Sequence, residues 1–188
     1  ERQSEALAAA LDVGFAKTVC LAASADGPPR PLHPISVGVQ SASPTGAPRD
    51  FDDCARGIRI AVAEAERGVQ VPIDRVVAGY SGPGLASRIV HAHAKVRGGT
   101  VEACDVHAAV STALDAVPLR AKAVLHIVPL GYAVDGARAS AEPRGLRGRT
   151  LGVEVCVVTA PDDAVEALCE CIEAAGLEVC EVVAGPYA

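Results

Sequence analysis

Between Phe51 and Arg67 the residues Phe51, Cys54, Ala55, Ile58, Ala61, Val62 and Ala65 recur at helical spacing and form one continuous apolar stripe. A helix with one such stripe must bury it against another layer. The next segment identifies that layer. Ile73 to Gly79 is a short apolar run closed by Ser81-Gly82-Pro83-Gly84, the pattern of a buried strand. Asp50 is placed to cap the helix, Asp52 and Asp53 suit its positive end, and Gly68 is expected to stop it.

The flanking segments extend this into an α/β arrangement. Leu7 to Ala23 reads as two strands around a tight turn containing Gly14, and Ile35 to Gln40 as a third strand. The linker from Gly27 to Pro34 holds four prolines and is expected to be a loop. Arg88 to Val96 alternates like a half-buried strand. Val101 to Val117 reads as a helix with Thr100 as cap and Pro118 as stop. Ala123 to Val134 contains Pro129, which predicts a sheet edge or a bulge. Gly136 to Gly148 reads as a loop and Leu151 to Val158 as a strand. Thr159-x-x-Asp162 has capping-box spacing ahead of a helix that buries Val165, Leu168, Cys169 and Ile172 and stops at Gly176. Leu177 to Val183 is a last strand. No internal repeat or low-complexity tract stands out.

Composition narrows the function classes. A chain of 188 residues can bury about 70% of the surface its unfolded form exposes. With 50% hydrophobic but only 3% aromatic residues, the core must be built from Val, Leu, Ile and Ala. No apolar stretch is long enough to span a bilayer, and the polar start Glu1-Arg2-Gln3-Ser4-Glu5 lacks a secretory pattern. Met is absent, so the natural start is expected to have been removed or to lie outside this piece. The net charge of −6 disfavours non-specific nucleic-acid binding. Arg138, Arg144, Arg147 and Arg149 are the local exception. They read as a solvated, mobile loop, with a phosphate or acidic-partner patch as the sharper alternative. The seven cysteines contain no Cys-x-x-Cys pair and several lie in apolar runs, which points to a reduced, intracellular chain. Cys169 and Cys171 are two apart on a helix and so face differently, which argues against a shared ion.

Chemistry-bearing residues are sparse. Asp12-Val13-Gly14-Phe15-Ala16-Lys17 places an Asp at the end of an apolar strand, then a Gly turn, then a Lys. The Gly admits backbone N–H groups to an anion, the Lys adds a point charge, and the Asp can hold a hydrated magnesium ion. By spacing alone, an ordinary charged hairpin turn fits as well. His91 and His93 share one strand face, but two ligands make a poor zinc site. His126, Tyr132 and Asp135 suggest acid–base chemistry or, more simply, a strand edge with its polar tips satisfied. Cys104 and His107 share a helix face with nothing to activate the thiol.

Five pieces together carry a resemblance. They are Ala10-Leu11-Asp12-Val13-Gly14 with Lys17; the helix after Asp50 with Val76-Val77-Ala78-Gly79-Tyr80-Ser81-Gly82; His126-x-x-Pro129-x-x-Tyr132-x-x-Asp135; Glu142-Pro143-x-Gly145-Leu146-x-Gly148-x-x-Leu151 with Val153-x-Val155-x-Val157-Val158-Thr159; and Gly176-Leu177-Glu178-Val179. The first resembles the phosphate loop of the actin and sugar-kinase superfamily. The whole resembles the N-terminal half of the bacterial cell-division FtsA family.

The resemblance implies an α/β fold: an actin-like (ribonuclease H-like) subdomain with an inserted small α+β strand-helix-strand-strand subdomain. Residues 1–82 would be the first part of subdomain 1A, 83–159 the inserted subdomain 1C, and 160–188 the returning helix and strand of 1A. It implies ATP and magnesium as cofactors of the full-length protein, held at Asp12, Gly14, Phe15, Ala16 and Lys17, with Asp12 reaching the metal through water. The family carries hydroxyl residues where Phe15 and Ala16 stand, so two donors worth about 1–3 kcal/mol are missing. The second phosphate loop, the adenosine pocket, the FtsZ-binding subdomain and a membrane helix are expected beyond Ala188. This fragment is therefore expected to hold no nucleotide tightly and to be non-catalytic, the full-length protein being at most a weak ATPase. The implied role is an actin-like polymer subunit that tethers FtsZ to the inner membrane and recruits later division proteins. Self-association and downstream partners would use the inserted subdomain. The implied place is the cytoplasm, peripheral on the inner face of the cell membrane at the division site. A PilM-type pilus-assembly component is the alternative. A superfamily kinase is the weaker one, because no general base is evident.

Overall fold

The computed structural model describes residues 7–14, 17–24, 36–41, 51–139 and 142–185. Its elements are β1 (Leu7–Val13), β2 (Lys17–Ser24), β3 (Ser36–Ser41), α1 (Phe51–Val69), β4 (Arg75–Tyr80), β5 (Ala86–Lys95), α2 (Ala103–Asp115), β6 (Lys122–Val134), β7 (Ala137–Arg138), β8 (Thr150–Pro161), α3 (Asp162–Ala174) and β9 (Glu178–Ala184). The chain divides into two compact units. One comprises Glu1–Pro83 with Asp162–Ala188, the other Gly84–Pro161. The linker 27–34, Asp50, Phe15 and Ala16 lie outside the described residues.

In the first unit a five-stranded sheet runs β3-β2-β1-β4-β9. β1 pairs with β2, and β2 with β3, in antiparallel fashion, whereas β1, β4 and β9 are parallel. This is the expected ribonuclease H-like framework. α1 and α3 cover one face. Ile58, Ala61, Val62 and Ala65 of α1 and Cys171 and Ile172 of α3 share a core with Ala9, Leu11, Cys20, Ala22, Val76 and Ala78. The strand residues alternate inward as a half-covered sheet requires. That leaves Ala8, Ala10 and Asp12 exposed on the opposite side of β1.

The second unit is a four-stranded antiparallel sheet, β5-β8-β6-β7, with α2 packed on β5 and β8. β8 is central. Its Leu151, Val153, Val155 and Val157 meet Val101, Ala109 and Ala113 in a separate core. The strand-helix-strand-strand order holds, with the two-residue β7 added as a hairpin return. β6 has both features that Pro129 predicts. Its register slips between Val124 and His126 and again between Pro129 and Gly131, and it is paired by β7 only at Ala133 and Val134.

Six local expectations give way. On α3 the buried residues are Cys171 and Ile172, whereas Val165, Leu168 and Cys169 are only half-buried. α1 continues through Gly68 to Val69, and Gln70 takes the left-handed conformation instead, with φ 56°. Glu66 closes that end by accepting the Ile73 N–H at 2.7 Å. Phe51, at the head of the stripe, is 47% exposed. α2 is capped by Glu102, not Thr100, because Glu102 and Asp105 form a reciprocal capping box. Thr159 caps nothing: it is buried inside β8, which runs on to Pro161 before α3 starts at Asp162. Finally, the 144–149 segment is tied down. The Gly145 N–H donates to the Val101 carbonyl, Val101 N–H to Leu146 and Gly148 N–H to Gly99. Thr100 bridges Arg147, and the Pro143 side chain is fully buried.

Candidate functional site

The strongest sequence candidate falls at one end of the first unit's parallel strands. Asp12 is the penultimate residue of β1 and lies beside Val19 on β2 and Gly79 on β4. Its side chain is exposed, on the side of the sheet away from the α1/α3 core. A Cβ on Gly79 would stand 3.8 Å from Asp12 Oδ1, an ordinary van der Waals contact, so an alanine would fit there without displacing the carboxylate. The hairpin then turns through Gly14, whose N–H donates to the Lys17 carbonyl at 2.9 Å. That amide is engaged within the turn, and Lys17, at the start of β2, is exposed. Thus Asp12, Gly14 and Lys17 are gathered at one strand end.

Parallel sheets bind ligands beyond the carboxyl ends of their strands, and two further segments reach that same end. β4 runs out at Tyr80 into Ser81 and Gly82, and β9 at Ala184 into Gly185, with Tyr80 opposite Ala184. The approach is close. A Cβ on Gly185 would collide with the Ser81 hydroxyl, and one on Gly82 would meet the Tyr80 ring at 2.7 Å. Tyr80 is fixed by donating its hydroxyl to the Pro83 carbonyl at 2.8 Å. Burial, then the nearby Asp163 carboxylate, pushes its phenol above the usual value. Gly79, Ser81 and Gly185 carry no chemical signature of their own in the sequence. The only hint is a Gly- and Ser-rich run immediately after a buried strand.

The other candidates are dispersed. His126 and Tyr132 lie six residues apart along β6, about 15–20 Å at strand rise. Asp135 takes the structural role, its polar tip satisfied by a neighbouring segment. Its carboxylate accepts the Arg149 N–H at 2.9 Å, the Thr150 N–H at 2.8 Å and the Thr150 hydroxyl at 3.1 Å. Those bonds, led by Arg149's amide, hold its carboxyl below the ordinary range. His91 and His93 line a concavity of about 290 Å³ with Tyr132, Arg138 and Glu154. Among the described residues no three His, Cys, Asp or Glu side chains form a group able to hold a metal ion. Of the arginines, Arg144 pairs with Glu142 through two side-chain bonds of 2.8 and 2.7 Å. Cys104 and His107 are both exposed on α2. No described helix is long and apolar enough to cross a membrane.

Comparison with known proteins bears on both units. Residues 82–159 match the family model described as the SHS2 domain inserted in FtsA. The chain is 32% identical over 95% of its length to the cell division protein FtsA of Agrobacterium fabrum, and 27% identical over 96% to that of Pseudomonas aeruginosa. It spans 43% and 44% of the length of those relatives, less than half of each. Among solved structures, a chain of the PilM-PilN type IV pilus biogenesis complex superposes with a TM-score of 0.61 at 17% identity, covering 96% of this chain and 48% of that one. That likeness concerns the fold alone. An actin-like sheet interrupted after β4 by an SHS2 unit, together with an alignment to FtsA proteins that spans 95% of the chain, leads to one assignment: the chain belongs to the FtsA family of cell division proteins.

Proposed function

We propose that this chain is the part of an FtsA-like division adaptor that carries the first phosphate-binding turn. On this reading ATP with magnesium binds at the strand ends that gather Asp12, Gly14 and Lys17. Asp12 orients the hydrated metal and Lys17 meets phosphate charge. The metal, when bound, would neutralise phosphate charge. The protein's own part is to position it and the phosphates. The observation that carries the reading is the placement of Asp12. It is an exposed carboxylate near the carboxyl end of an inner strand that pairs in parallel with β4, where the neighbouring residue, Gly79, adds no side chain.

The same reading makes the full-length protein a polymer subunit whose inserted unit contacts other copies and later division proteins. That unit exposes Ile89, Ile127 and Leu130, apolar side chains suited to a protein contact. Attachment to FtsZ and to the inner membrane face would belong to regions outside this chain. Phosphoryl transfer to a small substrate is the weaker reading, because among the described residues Asp12 lies beside Val19 and Gly79, neither of which can act as a general base. The test is Mg-ATP affinity of the full-length protein carrying Asp12→Ala. We expect at least a tenfold loss with an unchanged unfolding midpoint, because the side chain is exposed. Unaltered affinity would remove Asp12 from the site and the reading with it.

A further inference from the structure

All seven cysteines are free thiols, and two of them, Cys54 and Cys171, lie within hydrogen-bonding reach of each other. Cys54 lies in the first turn of α1 and Cys171 near the end of α3, the two helices that cover the same face of the first unit's sheet. Cys171 is buried in the core and half-buried Cys54 packs against it. A second contact sets the same register. The Arg59 guanidinium, five residues further along α1, donates to the Ala174 carbonyl, three residues further along α3, at 3.1 Å. The two helices are thus held side by side with one thiol on each at the seam.

We propose that Cys54 and Cys171 form a modification site, a facing thiol pair that a peroxide converts into a disulfide stapling α1 to α3. The two thiols divide the work by exposure. Cys171 is shielded and hydrogen-bonded to Cys54. Burial first, then that bond and the Glu170 carboxylate, pushes its thiol up to about 12, so it is not the sulfur that a peroxide meets first. Cys54 is reachable from solvent and reacts first. Its sulfur attacks one peroxide oxygen, the O–O bond breaks, and Cys54 sulfenic acid and one water result. The Cys171 sulfur then displaces the sulfenic oxygen as a second water, its thiol proton leaving with it. Two thiols lose two electrons and one peroxide becomes two waters. A dithiol reductant restores both thiols.

The staple would join segments 117 positions apart (171 − 54), so the main effect is to restrict the unfolded chain. The consequence is a redox-dependent rigidity of the helical layer behind the strands that carry Asp12.

The test uses the 188-residue chain with Cys104→Ser and Cys180→Ser, which removes the two exposed thiols. Exposure to hydrogen peroxide, followed by non-reducing digestion and mass spectrometry, should yield one cross-linked peptide pair joining Cys54 and Cys171. Intact mass should fall by two hydrogens, the thermal midpoint should rise, and dithiothreitol should reverse both. With Cys171→Ala added, Cys54 should stop at a sulfenic acid trapped by dimedone. With Cys54→Ser instead, the cross-link should vanish. If Cys54 and Cys171 both remain free to alkylation after unfolding, or if either couples preferentially to Cys20 or Cys169, the proposal fails. The peptide map of the doubly substituted background decides this even if the core variants fold poorly.

Discussion

Asp135 shows how much one side chain settles in the inserted unit. It and Gly136 both take positive φ, 48° and 82°, and form a two-residue hairpin between β6 and β7. Asp-Gly is a favoured pair for such a turn. What was not legible is that the carboxylate reaches across to the amides of Arg149 and Thr150 and fixes where β8 begins, because those partners lie 14 and 15 residues away. Sequence spacing set Asp135 beside His126 and Tyr132 as a trio, but a strand lays such residues out in a line. The depressed carboxyl gives a pH consequence with a definite sign. A group whose folded value lies below its unfolded value adds stability above the unfolded value and loses it as pH falls through the folded one. The inserted unit should therefore lose stability progressively below about pH 4. Asp135→Ala should lower its melting midpoint at neutral pH and flatten that acid limb. Thermal unfolding followed from neutral pH down into the acid range checks both, and an unchanged acid limb in the variant would contradict the role.

Elements were read well where one pattern decides them. Of the stripe on α1, Ala55, Ile58, Ala61, Val62 and Ala65 are buried, Cys54 is half-buried and the N-terminal Phe51 stays 47% exposed. Pro129 predicted the disturbed pairing of β6 because a residue without an N–H cannot complete a ladder. Boundaries failed where tertiary bonds compete with local propensity. Thr100 and Glu102 could both begin α2. Glu102 does so because Asp105 reaches back to its N–H at 3.0 Å and also accepts the Arg97 N–H at 3.3 Å. Asp105 is 2% exposed. Asp105→Ala would strand two partly buried amides, and we expect a loss of about 1–3 kcal/mol in denaturant unfolding. The 144–149 segment is solvent-exposed, as its charged composition suggests, but its backbone bonds go to Gly99 and Val101, and no local pattern encodes those partners.

At the scale of the molecule, the insertion leaves the first sheet's order intact. β4 and β9 are separated in sequence by the whole of Gly84–Pro161 yet pair as parallel neighbours from Arg75 to Tyr80. Each unit closes its own core of small aliphatic residues, as a chain nearly without aromatics must. The β1 turn was legible as a candidate because Asp, Gly and Lys are close in sequence. The rest of the strand end was not, since Gly79, Ser81 and Gly185 arrive from distant segments through parallel pairing alone. Hydrogen exchange on the full-length protein, with and without Mg-ATP, probes that assembled strand end directly. Nucleotide should slow exchange at amides in both Gly14–Lys17 and Gly79–Gly82. Nucleotide-dependent protection that spares both segments would contradict a phosphate-binding role for this end of the sheet.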